Sequence, residues 1–122
     1  MKREEFAKYL REWMLVSITK SELERLEKPS AKNPDLRDIE KSEMFRNLSD
    51  SEKSVLEKIV FDTAKSTIFS FLVMIDGCGW FLDNKGEFEL NFVKNNEKTK
   101  LNSPNQEDLH DLFMENTHSL TI

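Results

Sequence analysis

The segment between Ser49 and Gly77 constrains the fold of this chain more than any other. Ser49 and Glu52 have the spacing of a capping box, in which two polar side chains satisfy backbone N–H groups at the start of a helix. Apolar side chains then recur at helical spacing, and Asp76 with Gly77 offers a left-handed helix end. A helix of about 26 residues would be about 39 Å long and would span a domain of this size. The pattern therefore predicts a central, buried helix over residues 50–75.

A second interpretation of this segment stays open at this point. Residues 68–75 are a short apolar run, and periodicity alone does not separate a buried strand from a buried helix over so few residues. A break near Ser66-Thr67 would leave the run as a strand. We favour the continuous helix, because the apolar residues keep helical spacing through the run.

The N-terminal segment has the pattern of an amphipathic helix. Its apolar side chains fall at i, i+3, i+4, i+7 and i+8 and form one stripe, which we expect to pack against the core: Phe6, Tyr9, Leu10, Trp13 and Met14. The pattern breaks over residues 17–21. A capping-box spacing there, of Ser21 with Glu24 or of Thr19 with Glu22, indicates that a second helix begins.

Two shorter helices are expected elsewhere. Residues 35–46 follow a proline-containing loop, and their dense charges place this helix at the surface. Residues 106–116 form the last helix. Three apolar side chains dock it: Leu109, Leu112 and Phe113.

After the central helix the hydrophobic period changes from that of a helix to that of a strand. Residues 80–82 and 87–92 predict two antiparallel strands around a turn at 83–86. Asn95-Asn96 marks another turn, and residues 98–101 could add a short edge strand. The longest strand alternates strictly, and its apolar face consists of Phe88, Leu90 and Phe92.

Together these patterns predict an α+β fold. N-terminal helices pack around a long central helix, followed by a small antiparallel β-hairpin or three-stranded meander and a short C-terminal helix. We expect a single domain over residues 1–122, since the length suits one core. Its helical part is 1–76, its hairpin-plus-helix part is 77–116, and 117–122 form a loose tail.

Acidic side chains are concentrated in the second part of the chain. The formal net charge is −5; residues 1–76 carry 15 acidic and 14 basic residues, whereas residues 77–122 carry 8 and 4. Nucleic acids and anionic membranes require a basic face, so we expect neither as a partner. A protein partner with a basic surface is favoured, although solubility alone would also account for the charge.

Cysteine usage and hydropathy indicate the compartment. Cys78 is the only cysteine, so no disulfide forms within the chain, as in a reducing compartment. No signal-peptide pattern is visible, and the longest apolar run is too short to cross a membrane. We predict a cytoplasmic protein without a cofactor. A homodimer paired through the sheet edge is a further expectation.

The candidate binding residues lie in the acidic part. Asp108, Asp111 and Glu115 form an acidic stripe on the last helix, which predicts a docking surface or simply a solvated face. Trp80 and its neighbour Phe81 point to opposite faces of a strand. One of them is therefore a candidate exposed aromatic at a binding surface.

An alternative site lies at the junction between the central helix and the hairpin. It would use Asp76, Cys78 and His110, whose side chains offer a carboxylate, a thiol and an imidazole. On a regular helix, however, His110 points away from Asp108 and Asp111. No metal-ligand spacing, phosphate loop or nucleophile signature occurs. We therefore assign no catalytic residue and no metal ligand.

The function expected from these observations is that of a non-enzymatic, cytoplasmic protein-interaction module. One concrete form is an immunity or antitoxin-like inhibitor that covers a basic partner. The alternative is a small enzyme or ligand-binding domain with its site at the helix-to-hairpin junction. That alternative requires a concave pocket in which the candidate side chains converge.

Overall fold

The computed structural model describes residues 1–29, 32–77, 86–103, 105–115 and 117. It confirms the predicted α+β fold, with mostly helical structure, a two-stranded antiparallel hairpin and a short C-terminal helix. The elements in chain order are α1 (Arg3–Tyr9), a π-helical segment (Leu10–Ser17), α2 (Ile18–Glu27), α3 (Leu36–Arg46), α4 (Asp50–Ile75), β1 (Asn91–Lys94), β2 (Glu97–Lys100) and α5 (Leu109–Met114).

The first three elements form one continuous helical run, so the break predicted over residues 17–21 is wrong. Both junction residues, Leu10 and Ile18, keep right-handed helical dihedrals, and Ser21 lies inside α2. The irregularity in the sequence pattern corresponds to a change in winding. A π-helix is wound more loosely than an α-helix, with backbone bonds from i to i+5.

This winding also changes which side chains face the core. Leu10 and Leu15 are both buried although they are five residues apart, a spacing that would separate them on an α-helix. Tyr9, Trp13 and Met14, which we expected to pack against the core, are exposed, and Trp13 is 62% exposed. The expectation for Trp13 and Met14 was wrong because it assumed α-helical geometry in a π-helical segment. Tyr9 lies in α1, where the buried side chains are those of Arg3 and Ala7.

The α3 helix packs on α2 around a small second core. Asp35 caps it, because its side chain accepts a hydrogen bond from the backbone N–H of Asp38 at 2.8 Å. Phe45 contributes the buried aromatic ring against Leu23 and Leu26 of α2. This arrangement matches the predicted surface helix.

The α4 helix confirms the prediction of one continuous element, and the strand alternative is wrong. The Ser49–Glu52 capping box is present, α4 runs for 26 residues, and Gly77 closes it with a φ of +78°. Its burial is lower than expected, since only Phe61, Leu72 and Ile75 are buried. The π-helical segment, α2 and α5 cover one side of α4, and the opposite side faces solvent.

The hairpin is formed by β1 and β2, with Asn91 opposite Lys100 and Lys94 opposite Glu97. Asn95 and Asn96 both have positive φ values, of 52° and 65°, as a two-residue hairpin turn requires. This turn was predicted. Of the strand expected over residues 87–92, residues 87–90 are not part of a strand and residues 91 and 92 belong to β1. The expected strand 80–82 lies outside the described residues.

The apolar face expected for residues 88–92 is partly confirmed. Leu90 and Phe92 pack against the main core, whereas Phe88 is exposed. Beyond the hairpin, α5 is shorter than its predicted range of 106–116, and its buried face is the predicted one, with Leu109, Leu112 and Phe113. Thr117, expected to begin a loose tail, is buried.

Polar side chains fix the C-terminal segment against the helices. Buried Arg3 donates through Nε to the carbonyl of Leu101 at 2.7 Å and through Nη2 to the carbonyl of Glu107. Arg11 donates to the carbonyl of Leu112 at 2.6 Å. These bonds hold both ends of the α5 region. In the described part of the chain, no helix is long and apolar enough to cross a membrane.

Candidate functional site

The candidate site lies where the end of α4 meets the start of α5. Asp76 is the C-cap residue of α4, and its side chain is 3% exposed. One of its oxygens, Oδ2, accepts hydrogen bonds from the backbone N–H of His110 at 3.0 Å and from Nδ1 of the same residue at 2.7 Å. This amide belongs to the first turn of α5, 34 residues later in the chain.

This contact defines the state of the imidazole ring. Because a carboxylate oxygen faces Nδ1, that nitrogen carries a hydrogen, as inferred from the hydrogen-bond network. The other nitrogen, Nε2, is therefore the one left for chemistry. The ring of Phe69 packs edge-on against the imidazole with centroids 5.5 Å apart, and the His110 side chain is 14% exposed.

Two further carboxylates approach Nε2, which corrects the expectation that His110 points away from them. Nε2 lies 3.9 Å from Oδ2 of Asp108 and 3.7 Å from Oδ1 of Asp111. The expectation assumed a regular helix from residue 106 onward. Asp108 is instead the N-cap of α5, with extended dihedrals of −61° and 146°, so its side chain turns back toward the ring.

A cavity of about 330 Å³ adjoins these groups. Its lining includes Asp76 and Asp108 together with Gly77, Asn102 and Ser103. The volume is within the range of small-molecule sites, and carboxylate, amide and hydroxyl groups face into it. The cavity lies at the helix-to-hairpin junction, where the alternative hypothesis expected a pocket.

Asn102 forms the back of this cavity and was not predicted. Its Nδ2 donates to the carbonyls of Ile75 at 3.0 Å and Phe88 at 2.8 Å, and its Oδ1 accepts from the N–H of Leu90 at 2.7 Å. One buried amide thus joins the end of α4 to the segment before β1. Nothing in the sequence pattern distinguishes Asn102 from an ordinary loop asparagine.

Four acidic residues form what we call the acidic surface: Glu107, Asp108, Asp111 and Glu115. The hydrogen bond that the Glu107 carboxyl donates to Glu115 raises the pKa of Glu107 most. Desolvation and the negative charges of Glu115 and Asp111 raise it further, and the positive charge of Arg3 opposes the increase. Within the described residues, no lysine or arginine forms a salt bridge with these carboxylates; His110 alone pairs with Asp108 and Asp111.

The structure thus brings together Asp76, His110, Asp108 and Asp111, and it places Glu115 beside Glu107. The predicted site residues Cys78 and Trp80 lie outside the described residues. No family model, no curated protein and no solved structure matches the chain. The side chains themselves therefore carry the functional argument.

Proposed function

We propose that this chain is a non-enzymatic protein-interaction module that binds a partner with a basic surface. The observation that carries the proposal is the acidic surface, where four carboxylates lie close together and no lysine or arginine among the described residues forms a salt bridge with them. An inhibitor of the immunity or antitoxin type, acting in the cytoplasm, is the concrete form that we favour.

The electrostatics of the acidic surface support this proposal. The pKa of Glu107 is raised first by its hydrogen bond to Glu115, then by desolvation, and then by repulsion from the carboxylates of Glu115 and Asp111. Lysine or arginine side chains of a partner would relieve the repulsion. Complementary charges of this kind increase association rates and discriminate against wrong partners.

The test is differential capture from a lysate of the host. The wild-type chain and a Glu107→Lys/Glu115→Lys variant are immobilised, and the bound proteins are compared. Both side chains are exposed, so the variant should fold. We expect its affinity for the captured partner to fall by about tenfold or more.

A matched control carries the same change of charge elsewhere. Glu12 and Glu24 are also exposed, and they lie on the N-terminal helical run. The Glu12→Lys/Glu24→Lys variant should capture the partner as well as the wild type does. Equal losses in both variants would show that net charge alone matters, and an unchanged result for Glu107→Lys/Glu115→Lys would remove the acidic surface from the proposal.

The second candidate function is a ligand-binding domain or small enzyme at the helix-to-hairpin junction. The cavity beside Asp76 and the 2.7 Å contact between Asp76 and His110 favour it. A screen of small polar molecules by amide NMR tests this candidate. Binding should shift the resonances of Gly77, Asn102 and Ser103, and shifts confined to distant surfaces would contradict it.

A further inference from the structure

The side-chain cluster of Asp108, His110 and Asp111 carries an inference beyond partner binding. One atom from each residue, the imidazole nitrogen and two carboxylate oxygens, lies within 4.8 Å of the others. The cluster is not purely acidic, since it is centred on an imidazole. Imidazole and carboxylate groups together are a common ligand set for Zn²⁺.

The orientation of the imidazole is the distinguishing feature. Asp76, the C-cap residue of α4, lies outside the cluster. It accepts the Nδ1–H of His110 at 2.7 Å, and its side chain is almost completely buried. With Nδ1 bonded to Asp76, Nε2 is the ring nitrogen that faces Asp108 and Asp111. Two carboxylates beside Nε2 favour a cation at this nitrogen, either a proton or a bound metal ion.

We propose that Nε2 of His110 and the carboxylates of Asp108 and Asp111 bind a divalent transition-metal ion, for which Zn²⁺ is the best fit. Asp76 is the positioning residue. Histidine ligands of metals generally donate their second ring N–H to a carboxylate or carbonyl, which fixes the ring and increases its basicity. The contact from Asp76 is of that kind.

The distances are close to those that the ion requires. Zn²⁺ binds histidine nitrogen and carboxylate oxygen at about 2.0–2.2 Å, which places tetrahedral ligand atoms about 3.4 Å apart. The two distances from Nε2 are 3.9 and 3.7 Å. The carboxylates need only small rotations, and the Asp111 side chain is 60% exposed and free to make one.

Three protein ligands leave a fourth position for water or another ligand. Asp108 lines both the metal site and the cavity, so this position would adjoin the cavity. The simpler role of Asp76 is to tether α5 to α4 through the backbone N–H of His110. That role alone requires no affinity for metal, so a metal titration distinguishes tethering from the positioning of a metal ligand.

The experiment is calorimetric titration of the chelator-treated chain with Zn²⁺. We expect one ion per chain. Asp111→Asn should weaken binding at least tenfold without unfolding the chain, because the side chain is exposed. Asp62→Asn is the matched control, since Asp62 is a 68% exposed aspartate on α4, and its affinity should equal that of the wild type.

Asp76→Asn tests positioning, with an expected loss of about 10- to 100-fold in affinity. NMR of the His110 ring nitrogens gives a second measurement, because these signals would not respond to Zn²⁺ if Asp76 only tethered α5 to α4. Zn²⁺ should shift Nε2 of His110 while Nδ1 keeps its hydrogen. Circular dichroism of each variant shows whether it is folded.

Three results would overturn the proposal. One is the lack of saturable binding at Zn²⁺ concentrations up to about 1 mM. Another is unchanged affinity in both Asp108→Asn and Asp111→Asn. The third is loss of binding in Cys78→Ser, which would assign the ion to the thiol. Because partner capture is tested at Glu107 and Glu115, the two proposals can fail independently.

Discussion

A single oxygen of Asp76 accepts both the backbone N–H and the Nδ1–H of His110, a residue 34 positions later in the chain. The two bonds join the C-cap residue of α4 to the first turn of α5. They orient the imidazole and fix the position of the acidic surface.

Removing this acceptor should destabilise the chain. In Asp76→Ala, a backbone N–H and a ring N–H lose their partner in a largely buried place, which costs about 1–3 kcal/mol. Asp76→Asn keeps one carbonyl oxygen and should cost less. Urea denaturation measures both, and an alanine variant as stable as the wild type would show that water replaces the carboxylate.

The π-helical winding predicts that alanine substitutions at two neighbouring apolar residues differ greatly in their effect on stability. Leu15 is fully buried and Met14 is exposed, although both belong to the apolar stretch of the N-terminal segment. Leu15→Ala should cost about 2–5 kcal/mol, and Met14→Ala should stay within about 0.5 kcal/mol of the wild type. Unfolding free energies test this directly. The opposite order would indicate an ordinary α-helix with the predicted stripe toward the core.

Asn102 should be the most sensitive polar residue near the cavity. Asn102→Ala leaves two carbonyls and one N–H without their partner, and we expect a loss of about 2–4 kcal/mol. Asn105, three residues later, is exposed and serves as the control. Thermal denaturation of Asn102→Ala and Asn105→Ala should separate them clearly, and equal midpoints would argue against the hydrogen bonds of Asn102.

The capping box gives α4 a pH-dependent contribution. The backbone N–H of Ser49 lowers the pKa of Glu52 most, and its hydroxyl lowers it further. A carboxyl whose pKa is lower in the folded state stabilises the fold above its unfolded pKa of about 4.3, and this contribution is lost as the pH falls through the folded pKa.

Replacing the carboxyl of Glu52 should therefore make the free energy of unfolding depend less on pH in the acidic range. Glu52→Gln should be less stable than the wild type at neutral pH, and the difference should shrink toward about pH 3. Urea midpoints at several pH values measure it. A difference that does not change with pH would mean that the charge of Glu52 plays no part in the cap.

The elements that were predicted correctly depend on local chemistry. The Ser49–Glu52 box, the 26-residue helix after it and the Asn95-Asn96 turn follow from spacing and from the dihedral preferences of single residues. Each of these elements can be inferred from a few neighbouring residues in the sequence. For the same reason the fold class was predictable.

The errors arise where packing overrides local pattern. The loose winding of Leu10–Ser17 brings Leu15 onto the buried face, and helical periodicity does not contain that information. The extended conformation of Asp108 turns its side chain toward His110, whereas a regular helix would separate them. The sequence grouped Asp76 with His110 only in an alternative site, because no local pattern specifies a contact between residues 34 positions apart.

The most direct test of the proposed function is the salt dependence of partner association. Once a partner is captured, its association rate with the wild type should fall steeply as ionic strength rises, because attraction between exposed charges is screened. The rate for Glu107→Lys/Glu115→Lys should be lower and depend less on salt. A wild-type rate that does not change with salt would contradict an acidic surface that binds a basic partner.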